Sequence, residues 1–518
     1  MRPADQHQDR IGLADLPGLP QDLGLGDDEA NPWLEHSPEP DPPGQPVVES
    51  PDWLEDLAPD AGVPETPQDE VFWATVTSLR KQVAEALSKR LKSEALTHDQ
   101  QRAVGRRLID DAVTDLVDAS ISAGDSARWT STYIHQVHAA VFDAQFGLGR
   151  LQPLVDDPGV ENIKIYGHDR VYLMFSDGHT ETGPPVARDD EELTEFLAHL
   201  ADRDHDLDRS FTRNSPFLDL PLPGRARLAA TGWVTASGRP EVTIRKQHLQ
   251  DPTLKVLQRL GELDQVMAGF LAAAVRARCT IVVSGRGQGS GKTAMLRALA
   301  DEIPSWEAVA TIETEPELFL HEDTENHPLV NSYLTRRGSP EKDASGRRIG
   351  EVTTLDIIPS ALRHTISRVI VSEVRHHSEL AAMFEAMQMG NGSMTTIHAD
   401  SVTTLISRLV RMATYSTGNP EYAHREVGDL IDLAVYIGVR RDPDTGKAMR
   451  FVEEVSEIGY SPDAKSAIAH RIFAPAQDGS PAAVPDNIPS PALAGRLEEA
   501  GWNKGSFLAH PGADGGRS

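Results

Sequence analysis

Between residues 285 and 293 the chain reads Gly285-Arg-Gly-Gln-Gly-Ser-Gly-Lys-Thr, with glycine at 285, 287, 289 and 291. Glycines at that spacing let successive backbone N–H groups turn inward onto phosphate oxygens. A lysine directly after the last glycine can reach the β- and γ-phosphates, and the next hydroxyl can bind magnesium. The pattern therefore predicts Gly287, Gln288, Gly289, Ser290, Gly291, Lys292 and Thr293 as nucleotide-binding residues, with ATP and Mg2+ as ligands. One position departs from the usual pattern, which has glycine where Arg286 stands. Gly285 lies one residue further back, so the loop is expected to be one residue longer at its start.

The flanks argue against a plain glycine linker. Cys279-Thr-Ile-Val-Val precedes the loop as a short apolar strand, and Ala294-Met-Leu-Arg-Ala-Leu-Ala follows it as a helix. Cys279 is the only cysteine, so no internal disulfide can form, which fits a cytosolic protein. Its apolar neighbours predict a buried structural thiol and not a reactive one. From about 255 to 440, helical segments alternate with short apolar strands, the signature of a parallel sheet with crossover helices.

Upstream, residues 150–250 read as α+β. Asn162-Ile-Lys-Ile-Tyr and Arg170-Val-Tyr-Leu-Met-Phe are strands joined at Gly167-His-Asp, and residues 226–230 and 241–245 are two more strands. A helix is expected over 189–202. Residues 71–149 form a helical subdomain, with Val76, Leu79, Val83 and Leu87 at helical spacing and Thr97-His-Asp-Gln as a helix start.

Formal net charge is −29, of which residues 1–70 supply −16 through 18 acids against two arginines. That segment also holds 13 prolines and few aliphatics, so it is expected to be a disordered acidic tail. Within it, Trp33-Leu-Glu and Trp53-Leu-Glu repeat a short motif of docking-peptide type. The acidic balance opposes direct nucleic-acid binding, which needs cations to displace phosphate counterions. The best apolar run, Val266 to Val275, is too short to span a membrane, and the first residues do not read as a signal peptide. Residues 475–518, rich in Pro, Ala and Gly, are expected to form a loose C-terminal tail.

Three later segments follow the loop in a fixed order: Val309-Ala-Thr-Ile-Glu-Thr-Glu-Pro-Glu-Leu, Ser367-Arg-Val-Ile-Val-Ser-Glu-Val-Arg and Gly392-Ser-Met-Thr-Thr-Ile-His-Ala-Asp. With the glycine loop they resemble the motifs of the type II/IV secretion ATPases: P-loop, acidic box, Walker B segment and histidine box. The resemblance spans about residues 75–458 and is nearest the tight-adherence pilus branch of actinobacterial type. It implies a P-loop ATPase domain of RecA-like fold over 255–458 behind the smaller α+β domain. It also implies catalytic roles for Glu313, Glu373 and His398, with Thr293 and Glu373 at the metal. Thr314 stands where the family has aspartate. Arg227, Arg245 and Arg336 match the arginines that reach the nucleotide from the N-terminal domain and from a neighbouring subunit.

The implied activity is ATP hydrolysis that powers pilus assembly or protein secretion across the cytoplasmic membrane. The implied state is a homo-oligomer, a hexamer, that is cytoplasmic and peripheral to the membrane. The basic cytoplasmic loops of a polytopic inner-membrane assembly protein are the matching partner for the acidic tail. Two other readings share these residues: a conjugation-type DNA-transfer ATPase, and a nucleotide-binding scaffold without turnover. Arg286 and Thr314 are the only features that favour the scaffold.

Overall fold

The computed structural model describes residues 70–92, 96–176, 178–203, 210–247, 249, 251–287, 289–339, 341–389, 392–442, 448–476 and 482–511. Trp33, Trp53, the rest of the acidic segment up to residue 69, and Gln288 lie outside them.

Three helices, Glu70–Leu91, His98–Ser122 and Ser131–Phe146, come first. Phe72, Val76, Leu79 and Val83 pack against Ile109, Val113, Val137 and Val141. Thr97 starts the second helix with a capping box, its hydroxyl accepting from Gln100 N–H and its own N–H donating to Gln100 Oε1.

A six-stranded antiparallel sheet follows, formed by β1 (Val160–Tyr166), β2 (Arg170–Phe175), β3 (Thr180–Gly183), β4 (Phe217–Leu222), β5 (Ala226–Thr231) and β6 (Glu241–Lys246). Its order is β3-β2-β1-β6-β5-β4. The helix Asp190–Arg203 packs Leu193 and Leu197 onto Ile163, Ile165 and Leu228. β4 puts Leu218 and Leu220 into that core and carries Pro221 at the sheet edge, where a missing N–H is tolerated.

The second sheet has nine strands: β7 (Ile281–Gly285), β8 (Val309–Glu313), β9 (Val330–Leu334), β10 (Arg368–Val371), β11 (Met394–His398), β12 (Leu433–Arg441), β13 (Ala448–Ser461), β14 (Ser466–Pro475) and β15 (Ala483–Pro485). Its order is β15-β14-β13-β12-β7-β11-β10-β8-β9. From β12 to β9 every pairing is parallel, and from β12 to β15 every pairing is antiparallel. Strands alternate sides, so Ile281 and Val283 join one core while Val282 joins the other. Helices Gln265–Arg276 and Lys292–Ala300 cover the first face; His377–Met389 and Val402–Thr417 cover the second. This is the doubly wound, RecA-like α/β architecture, and it brings the C-terminal ends of β7, β8, β10 and β11 to one rim. Among the described residues no helix is long and apolar enough to cross a membrane.

Two expectations are corrected. The chain beyond 475 is not a loose tail within the described residues, and the sheet runs on past 458 to Pro485. Helices Pro491–Glu499 and Lys504–Leu508 pack Leu493, Leu497, Trp502 and Phe507 into the core of the large sheet. Trp502 meets Phe270 edge-on at 5.7 Å and Phe507 at 5.5 Å. The Pro/Ala/Gly-rich composition hid a few well-placed apolar residues, whose burial is sufficient to fold the segment. The polar insertion after Arg336 folds back on itself through bridges Arg336↔Val352 and Lys342↔Arg348.

Candidate functional site

β7 ends at Gly285, and the chain turns through Gly287, Gly289 and Gly291 at φ of 69°, 75° and 93°. Side chains are strained at those angles, so the turn requires glycine. Gly285 is needed for space, since a Cβ there would meet Ser290 Oγ at 2.9 Å. Gly285 thus does the close-packing work, and Arg286 points outward to Asp400 at 3.1 Å. The helix Lys292–Ala300 starts at Gly291 without a side-chain cap, which leaves its first N–H groups open to an anion.

Lys292 is 7% exposed. Its ammonium donates to the Gly287 carbonyl (2.9 Å) and to Ser290 Oγ (3.1 Å), and lies 3.3 Å from His398 Nδ1. Burial pulls its pKa down to about 8. His398 ends β11 opposite Gly285 in the register, because β11 is the immediate neighbour of β7. Its Nε2 meets Glu373 Oε1 at 3.0 Å. Burial and the Lys292 charge hold the imidazole below its usual pKa, and the Glu373 carboxylate opposes them. Glu373 follows β10 and accepts two bonds from Arg375, at 2.9 and 2.7 Å.

Glu313 ends β8 with its carboxylate buried. One oxygen accepts from the N–H groups of Glu317 and Leu318, each at 2.9 Å. Burial raises its pKa to about 7 despite those bonds. The carboxylate therefore shapes the turn after β8. That turn aims Glu317, which accepts from the Thr293 hydroxyl at 2.8 Å and pairs with Arg227. Arg227 on β5 stands across from Arg245 on β6. Burial, and then the Arg227 charge, lower the Arg245 pKa, while Glu317 and Glu161 act against them.

The fold thus gathers Gly287, Gly289, Ser290, Gly291, Lys292, Thr293, Glu373 and His398 in one place, with Arg227 joined through Glu317. Arg336 is not among them. It follows β9, four strands from β7, and donates to its own insertion at the Gly350 carbonyl, 2.6 Å away. At about 4.8 Å per strand this is roughly 19 Å of sheet. Thr293 and Glu373, expected together at the metal, face different partners here, Glu317 and His398.

Sequence reasoning missed three contributors. Glu317 sits in an acidic stretch whose pattern gives it no separate role. Arg375, two residues after Glu373, donates to its carboxylate, and no motif marks it for that role. Arg450 on β13 donates from Nε to the Gly289 carbonyl at 2.8 Å, and its Nη2 lies 3.6 Å from Glu161 of β1. No motif marks an arginine 161 positions from its partner.

The arrangement fits a nucleoside triphosphate with magnesium. The glycine turn, the uncapped helix start and a buried ammonium that leans on a carbonyl would exchange that carbonyl for phosphate oxygens. A hydroxyl and carboxylates stand within the same rim for a hard cation.

Residues 230–427 match the family model described as Type II/IV secretion system protein. An uncharacterized protein of Methanocaldococcus jannaschii is 28% identical over 336 residues, covering 63% of this chain and 55% of that one. The chain thus spans about half the length of that relative. The type IV secretion system protein VirB11 of Brucella suis is 27% identical over 351 residues, covering 62% of this chain and 92% of that protein. The X-ray structure of the Legionella pneumophila ATPase DotB covers 65% of this chain and 83% of its own at 17% identity, with a TM-score of 0.43. Over these stretches the chain is similar to type II/IV secretion system proteins.

Proposed function

We propose that this chain hydrolyses ATP and uses the energy to drive pilus assembly or protein secretion across the cytoplasmic membrane. The observation that carries the chemistry is the continuous set of contacts Lys292–His398–Glu373 on the rim of the sheet, at 3.3 and 3.0 Å, beside the glycine turn. Lys292, Gly287, Gly289 and Gly291 hold the phosphates. Gln288 belongs to the same loop by sequence. His398 senses the γ-phosphate through the lysine it touches. Glu373 and Glu313 orient or deprotonate the attacking water, and Arg227 and Arg245 neutralise the charge that spreads over the γ-phosphate. Thr293 and Glu373 would hold magnesium, which supplies charge neutralisation to the phosphates when bound.

Arg227 reaches the rim only through Glu317, and Arg336 stands at the outer edge of the sheet. We read both as groups that complete the site when copies of the chain close on one another in a hexameric ring, with Arg336 serving a neighbour's nucleotide. The acidic tail would dock on basic cytoplasmic loops of a polytopic membrane assembly protein and hold the ring at the membrane.

A phosphate-release assay tests the core of this reading. Lys292→Ala should abolish tight ATP binding or turnover. Glu373→Gln should keep binding and lose turnover by about two orders of magnitude, the scale for removing a key acid–base or electrostatic group. Wild-type turnover in Glu373→Gln would remove that residue from the mechanism. No turnover in the unaltered chain, even as an oligomer, would leave a nucleotide-binding scaffold.

A further inference from the structure

Asp301, Asp323 and His327 meet at the end of the helix Lys292–Ala300 opposite the glycine turn. One ligand atom from each lies within 4.8 Å of the others. Asp301 caps the C-terminus of that helix, Asp323 closes the short turn Leu320–Glu322, and His327 stands in the chain that leads into β9. His327 is 5% exposed, and its Nε2 has no hydrogen-bond partner among the described residues. Asp301 Oδ1 is 4.0 Å from that nitrogen, beyond hydrogen-bond reach. A buried polar nitrogen left unpaired is costly, so one aimed at two carboxylates calls for a third party.

The frame around the three groups is already built. His327 N–H donates to the Asp323 carbonyl at 2.8 Å, and the Asn326 amide holds the Asp323 carboxylate at 3.0 and 3.2 Å. The charge balance also favours a cation. Arg225 pairs with Asp251 and Glu322, and Arg297 pairs with Asp251 while acting electrostatically on all three members of the cluster. Among the described residues, these four carboxylates face two guanidinium groups, an excess of two negative charges. The C-terminal end of the helix adds its partial negative charge.

We propose that Asp301, Asp323 and His327 bind one divalent transition-metal ion, with water completing its coordination. The imidazole beside two carboxylates suits Zn2+ better than Mg2+, which favours an all-oxygen set. The ion would fix the stretch that carries Glu317 against the far end of the helix that carries Thr293. It would thereby hold both partners of the Thr293–Glu317 bond without touching the nucleotide. This inference is independent of the proposed activity.

The test uses the full chain, stripped of metal by a chelator and kept in excess Mg2+ so that magnesium sites stay filled. Co2+ is titrated while its visible absorption is followed, and Zn2+ then competes for the site. One Co2+ per chain should bind, with Zn2+ displacing it. His327→Gln and Asp323→Asn should each weaken binding by at least about tenfold, the lower bound for disturbing a metal's surroundings. Zn2+ should raise the thermal midpoint of the unaltered chain and leave both variants unmoved. Circular dichroism reports whether the variants fold; if His327→Gln does not, the more exposed Asp323→Asn decides. Absence of saturable Co2+ and Zn2+ binding, or equal binding in both folded variants, overturns the site and leaves a cluster of charges that holds no metal.

Discussion

One substitution can separate the structural job of Glu313 from the catalytic one proposed for it. Its carboxylate is 2% exposed and accepts from two backbone N–H groups. Burial sets its pKa at about 7 against an ordinary 4.5, with the Glu317 charge adding to the rise and Arg297 opposing it. Between those values the folded chain holds a proton that the unfolded chain has released. Stability therefore falls as pH rises from about 4.5 to 7, by roughly 3 kcal/mol in all. Glu313→Gln keeps an oxygen to accept from Glu317 and Leu318 and cannot ionise. The variant should match the unaltered chain near pH 5 and exceed it at pH 8 by up to about 3 kcal/mol. For a domain of this size that is a gain of several degrees in thermal midpoint. Glu313→Ala, in contrast, orphans both N–H groups and should destabilise at every pH by about 1–3 kcal/mol per group. Thermal unfolding at pH 5 and pH 8, beside phosphate release, gives both readouts. If Glu313 also serves the attacking water, the glutamine variant loses turnover by about two orders of magnitude while it gains stability. A midpoint difference that is the same at both pH values would refute the burial argument. Unchanged turnover would leave Glu313 as the anchor of its turn alone.

Four further outcomes are expected. Lys292 titrates at about 8 in the free chain, and phosphate restores its charge, so ATP binding above pH 8 should take up close to one proton per site. Calorimetry in buffers of different ionisation enthalpy measures that uptake, and none at pH 9 would contradict the burial of the ammonium. Arg450→Ala removes the bond to the Gly289 carbonyl and should weaken nucleotide binding by about tenfold, read by fluorescent-nucleotide titration. Trp502→Ala empties a slot between Phe270 and Phe507 and should cost about 3 kcal/mol, seen as a lower thermal midpoint. Deleting residues 1–65 should leave ATP hydrolysis unchanged and reduce pilus or secretion output in cells; full output without the segment would reduce it to a solubility device.

The parts legible in the amino-acid order are those whose causes are local. Ile281 to Ala300 reads as strand, turn and helix because apolar strand residues, left-handed glycines and helix formers follow one another directly. Thr97 and Gln100 announce their helix for the same reason, since the cap closes within four residues. The alternation of helix and apolar strand from 255 to 440 implies a parallel sheet, and that sheet is present. β3 and β4 leave no clear strand signal, because one is short and exposed and the other contains a proline. The final helices escaped because composition averages over a segment, whereas burial depends on a few positions such as Leu493, Leu497 and Trp502.

Pairings across the fold have no local cause. His398 lies beside Lys292 because β11 inserts between β7 and β10, and strand order is a property of the whole sheet. Glu317 meets Arg227, Arg450 meets Gly289, and His327 meets Asp301 through elements far apart in the chain. Backbone propensity and spacing act over a few residues, so they determined the phosphate turn, the capped helices and the class of sheet. Which charges face one another across that turn, and which buried nitrogen is left without a partner, follows from how helices and strands pack over distances that no short pattern encodes.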